Sequence, residues 1–125
     1  MPITKTIATV ISPVTVAADS RSDPSSTVNL LSTIAVMLSV TLAATFATDA
    51  DGAAMVELYS SLDDSVYDTQ PFFVGTIEGD VAGGDKQETW DVACSAAYVK
   101  ARVKNGCSAT DLTGVQVDFV KTCVS

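Results

Sequence analysis

The sequence contains no histidine. That absence removes Ser-His-Asp and Cys-His nucleophilic centres, His-ligated metals and imidazole acid-base chemistry in one step. No serine-lysine spacing and no glycine-rich phosphate loop replaces them, so the chain is expected not to be an enzyme and to carry no cofactor or metal. Cations are scarce too: seven Lys and Arg face fifteen Asp and Glu, a formal charge of -8. Neutralising phosphates needs the opposite balance, which argues against a nucleic-acid partner. Aromatic residues make up only 6% of the chain. The three cysteines, Cys94, Cys107 and Cys123, show no CxxC or other zinc spacing. An odd number without a dense framework reads as buried thiols in a reducing compartment.

Helical periodicity is also missing, and this decides the one long uncharged run. Residues 25–48 carry no charge and are long enough to span a bilayer. However, Ile34, Val36, Leu38, Val40, Leu42, Ala44 and Phe46 occupy alternate positions, with Ser39, Thr41 and Thr45 between them. Period two describes a half-buried strand, and no membrane partner is expected. The apolar stretch near the N-terminus is broken by Thr6, Thr9, Ser12, Pro13 and Thr15, which speaks against a targeting segment.

Present in their place are valine and threonine, 17 and 15 residues, together about a quarter of the chain. The chain divides into strands over 3–11, 27–31, 33–46, 54–60, 71–77, 87–92, 98–104 and the alternating segment around Val115, Val117 and Phe119. Asp and Gly in 48–54, Gly83-Gly84 and Asn105-Gly106 supply turns. Trp90 reads as a core plug. Eight strands without helices predict an all-β domain, a two-sheet antiparallel sandwich of jelly-roll type. The polar stretch ADSRSDPSS at 18–26 reads as a linker, which sets residues 1–26 apart as an extended N-terminal arm and linker and leaves 27–125 as the sandwich.

Charge is unevenly placed. Residues 49–91 hold eleven acidic groups and one base, Lys86. Most of this is solvated loop; Asp49-Ala50-Asp51-Gly52 begins like a calcium loop but lacks the remaining ligands. Lys100, Arg102 and Lys104 alternate with Val99, Ala101 and Val103, which puts three cations on one outward strand face. Such a row guards an edge, or meets an acidic surface of another subunit. The candidate interface residues are therefore Ile3 and Ile7 on the arm, Lys100, Arg102 and Lys104 on the strand, and Asp63 and Asp64 in the acidic loop.

The runs GAAMVELYSSLDDSVYDTQPFFVGTI and AYVKARVKNGCSATDLTGVQVDFV resemble the small β-sandwich decoration, or cement, proteins of tailed-bacteriophage capsids, over about residues 33–121. The resemblance implies a virion structural protein on the outer capsid surface, assembled in the host cytoplasm. Its partners would be the major capsid protein, bound between subunits, and copies of itself, as a homotrimer. Two alternatives stay open. One is a phage tail or connector component; the other is a carbohydrate-binding module using Tyr59, Tyr67, Trp90 and Tyr98 as sugar platforms.

Overall fold

The computed structural model describes residues 3–30, 34–92 and 97–124, with side chains over 5–30, 38–92 and 97–122. Cys94 and the side chains of Ile3 and Cys123 lie outside the described residues. Eight strands run in chain order: β1 (Ile3–Val16), β2 (Val28–Asn29), β3 (Ile34–Phe46), β4 (Ala53–Ser61), β5 (Phe73–Glu78), β6 (Gly84–Val92), β7 (Tyr98–Asn105) and β8 (Leu112–Val124). The described residues include no helix, and hence none long and apolar enough to cross a membrane. One sheet has the order β1-β8-β3-β6 and the other β2-β7-β4-β5. The sheets thus contain the nested antiparallel pairs β1·β8, β2·β7, β3·β6 and β4·β5. A long hairpin rolled around itself produces this nesting, which is the jelly-roll arrangement.

Alternation builds the core between the sheets. Leu38, Val40, Leu42, Ala44 and Phe46 of β3 meet Ala54, Val56 and Leu58 of β4 and Val99, Ala101 and Val103 of β7, all of them buried. On the outer face of the first sheet the intervening residues form polar cross-strand pairs: Ser39 Oγ donates to Asp91 at 2.6 Å, Thr45 Oγ1 to Asp85 at 2.5 Å and Thr9 Oγ1 to Asp118 at 2.6 Å. Trp90 packs between the sheets edge-on to Phe73, with ring centroids 6.2 Å apart. Gly75 makes room for it, because a Cβ there would stand 2.9 Å from the indole.

Two features depart from strict alternation. Leu112 and Val115 differ in parity yet are both buried. The register against β3 shifts at this point, next to Gly114 with φ 57°, so a bulge re-aims the strand. Ile11 and Val16 of β1 are both buried by the same device, and Pro13 is accommodated on an edge strand between register shifts.

The region expected as an arm is placed differently. Residues 3–16 are β1, paired with β8 from Ile3↔Val124 to Val16↔Leu112. The reason is length: β8 has 13 residues and needs a partner on its second side, while Ile11 and Val16 close one flank of the core. The expected linker also belongs to the body. Ser22 N and Ser25 N donate to Val103 O and Ala101 O, each at 2.8 Å, and Asn105 N donates to Ser20 O at 2.8 Å. The Ser25 and Ser22 hydroxyls accept from Ala101 N at 2.8 Å and Val103 N at 2.9 Å, standing in for strand carbonyls along the edge of β7.

Candidate functional site

The outer face of the second sheet gathers charge and aromatic rings. The β4·β7 register sets Met55 beside Lys104, Glu57 beside Arg102 and Tyr59 beside Lys100. Because alternate residues of both strands point outward, these six side chains share one surface. The 19–25 segment borders it and contributes Asp19, Arg21, Ser22 and Pro24. Arg21 joins Lys100, Arg102 and Lys104 here, so four of the chain's seven cations fall in one patch.

Most of this charge is satisfied within the chain. Arg21 clasps the buried Glu57 through both guanidinium arms, Nε to Oε1 at 2.8 Å and a terminal nitrogen to Oε2 at 3.3 Å. The bond to Glu57 and its charge raise the Arg21 pKa above its ordinary value. Lys104 Nζ reaches Asp19 at 3.0 Å, and Arg102 Nε donates to Ser22 O at 2.9 Å. Lys100 Nζ stands 4.8 Å from the centre of the Tyr67 ring. Neither Lys100 nor Arg102 has a carboxylate within salt-bridge distance among the described residues.

The loop after β4 positions Tyr67. Asp63 Oδ1 accepts from the backbone of Ser65 at 2.9 Å and Val66 at 3.1 Å, and these bonds hold its carboxyl below the usual range. Asp64, with φ 62°, accepts from Tyr67 Oη at 2.5 Å and Thr27 Oγ1 at 2.8 Å, and the tyrosine bond likewise lowers its pKa. Tyr59 Oη donates to Glu57 Oε1 at 3.2 Å. Desolvation raises the pKa of both Tyr59 and Tyr67, so each phenol stays protonated well into alkaline solution. Between these rings lies an open cleft of about 370 Å³, lined by Pro24, Tyr59, Tyr67, Asp68, Thr69, Lys100 and Arg102.

The structure therefore brings Lys100, Arg102 and Lys104 together on one face, as alternation requires. It links Asp64 to the same site through Tyr67, while Asp63 shapes the loop beside it. Ile7 lies elsewhere, 73% exposed on β1 and paired with Val120. Of the expected aromatic platforms, Tyr59 and Tyr67 share the cleft; Trp90 is half-buried and packs against the core, and Tyr98 does not line the cleft. Sequence reasoning missed Arg21 and Glu57, and the only local signal was the rarity of cations in so acidic a chain. Asp51, at the calcium-like start, is taken by Ser108, whose backbone N–H donates at 2.9 Å and whose hydroxyl donates to the other carboxylate oxygen. Among the described residues no three His, Cys, Asp or Glu side chains converge on a metal position. The face offers hydrogen-bond donors, two cations outside salt bridges and two rings.

A second feature stands apart from the cleft. β1 pairs with β8 alone among the described residues, so the other edge of its backbone is open. Residues 5–9 are exposed on both faces, with Lys5 their one charge. The opposite edge, β6, carries Asp85, Lys86, Glu88 and Asp91 over nine residues. β5 is short and packs against β6 through Phe73 and Gly75 at Trp90.

No family model matches the chain, and no curated protein matches it. Among solved structures, it is similar to one of Bacillus endospore appendages that form disulfide-linked pili, at 12% identity and TM-score 0.49, covering 98% of this chain and 89% of that one. It is also similar to a mitogen derived from Yersinia pseudotuberculosis, at 9% identity and TM-score 0.38, covering 99% of this chain and 86% of that one.

Proposed function

We propose that the protein is a structural subunit of a larger assembly, a virion surface protein that decorates a phage capsid by binding between major capsid protein subunits. The observation that carries this reading is the open edge of β1. An edge strand is a template for one more strand unless charge, proline or bulges blunt it; β6 is blunted by charge, whereas on β1 Pro13 and the register shifts lie beyond Thr9 and leave residues 5–9 with Lys5 alone. β1 has one Lys and one Pro over 14 residues and leaves Ile7 73% and Val14 40% exposed. The resemblance across residues 33–121 supplies the capsid setting, and a helix-free jelly roll suits a rigid brick. The partner contributes a strand or an apolar ridge along β1, either from the capsid protein or from another copy in a trimer.

Mixing the purified protein with undecorated phage heads, followed by cryo-electron microscopy, tests the proposal. Density on the shell with β1 at the contact is expected. The double variant Ile7→Lys, Val14→Lys should remain folded and lose at least tenfold in occupancy. Absence of the wild-type protein from the shell, or equal occupancy by the variant, would overturn the reading.

A further inference from the structure

We propose that the Tyr59–Tyr67 cleft is a binding site for an acidic saccharide, a pyranose bearing a single carboxylate. Lys100 and Arg102 would take the carboxylate, the tyrosines the ring. Three of the chain's seven cations, Arg21, Lys86 and Lys104, are in salt bridges. Lys100 and Arg102 lie side by side outside any salt bridge, so together they can offer charged donors to one incoming carboxylate, although Glu57, Asp64 and Asp68 stand nearby. Their Cα atoms are two residues apart on one strand face, about 7 Å, so both side chains reach the same carboxylate. Arg102 commits only its Nε to Ser22, which leaves its terminal nitrogens for a ligand, and Lys100 is held against Tyr67 with its three donors unspent on any acid.

The remaining lining selects the rest of the ligand. At about 370 Å³ the cleft lies in the size range of small-ligand sites. Tyr59 and Tyr67 donate their hydroxyl hydrogens to Glu57 and Asp64, so their rings are fixed and their oxygens accept. Asp68, held by Ser60 Oγ at 2.9 Å, is a further acceptor, and Thr69 adds a hydroxyl. Acceptors of this kind suit a ring rich in hydroxyl groups. Asp68 also repels any ligand carrying a row of negative charges, which disfavours an acidic peptide. The site uses the outer face of the second sheet and needs no part of the open β1 edge, so it holds whether or not the assembly reading does.

The test is an amide chemical-shift titration of the full chain with sodium galacturonate and with N-acetylneuraminate, set against galactose, acetate and a hexaglutamate peptide. Shifts should centre on Tyr59, Tyr67, Asp68, Lys100 and Arg102 for at least one acidic sugar, with affinity at least tenfold tighter than for galactose or acetate. Lys100→Gln and Arg102→Gln should each weaken that sugar at least fivefold while the amide spectrum stays folded. Equal affinity for acetate shows that the tyrosines recognise nothing, and equal affinity for galactose shows that the cations are idle. Either result overturns the proposal, as does binding of the peptide in preference to both acidic sugars or a spectrum that no sugar perturbs.

Discussion

Asn105 closes β7 with its side chain wholly buried, and its replacement by alanine should be among the most damaging single changes in the chain. Its amide nitrogen donates to Val16 O at 3.1 Å and to Thr110 O at 2.8 Å, while its carbonyl oxygen accepts from Cys107 N at 2.9 Å. One side chain thus ties the end of β1 to the turn between β7 and β8. Asn105→Ala strands a buried N–H and a buried carbonyl, and half-strands a second carbonyl. At about 1–3 kcal/mol for each buried group left without a partner, the loss is about 3–6 kcal/mol. That is a large share of the roughly 5–15 kcal/mol that holds a domain of this kind folded. Urea unfolding followed by the fluorescence of the single Trp90 should show the midpoint lower by about 2 M, taking a slope of about 2 kcal/mol per M. Asn105→Asp is the control. It keeps the shape and the bond from Cys107 N but turns a carboxylate toward two carbonyls, so it should be at least as harmful near neutral pH and partly recover when the carboxyl protonates. An Asn105→Ala midpoint that corresponds to a loss below about 1 kcal/mol would refute this account of the turn.

Thr110 offers the opposite sign: its buried hydroxyl has no partner among the described residues, so Thr110→Val should leave stability unchanged or raise it by about 1 kcal/mol in the same urea assay. Gly75→Ala should push the Trp90 indole aside, costing about 1–3 kcal/mol and shifting the tryptophan emission maximum; an unmoved spectrum would mean that the contact is slack. Stability against pH should form a plateau with two falling ends. Asp51, Asp63, Asp64 and Asp80 have pKa values held below 3.8 by hydrogen bonds from Ser108, the Ser65 backbone, Tyr67 and Lys86 respectively, so their contribution is present above that value and is lost as pH falls through the lowered ones. Tyr59 and Tyr67 are raised above 10.0 by desolvation, so their contribution is complete below 10.0 and is lost as pH rises through the raised values. Thermal melts from pH 2 to 12 check both limbs, and a melting temperature that climbs below pH 3.5 would contradict the acid one.

Strand identity was legible because alternation is a local property. Val99, Ala101 and Val103 against Lys100, Arg102 and Lys104 can be read from six consecutive letters, and the structure buries the first set and faces the second outward. The uncharged 34–46 run was recognisable as a strand for the same reason, and the eight strands with their turns pointed to the two-sheet sandwich. What the letters did not disclose was set by partners distant in the chain. Residues 18–26 look like a linker because their hydrogen-bonding partners, such as Val103 for Ser22, lie about eighty positions away and leave no local period. Val16 relative to Ile11, and Leu112 relative to Val115, break strict alternation, and only the register of β8 against its neighbours shows the bulges that turn both members of each pair inward. The cleft belongs to this second class. Tyr59 and Lys100 become neighbours through the β4·β7 register, and Tyr67 reaches them through a loop pinned by Asp63 and Asp64. Likewise, nothing adjacent to Arg102 in sequence reveals that Arg21 has already claimed Glu57. Side-chain period is a property of a single strand and survives in the sequence. Pairing, register and the neutralisation of charge are properties of two strands at once, and the folded sandwich decides them.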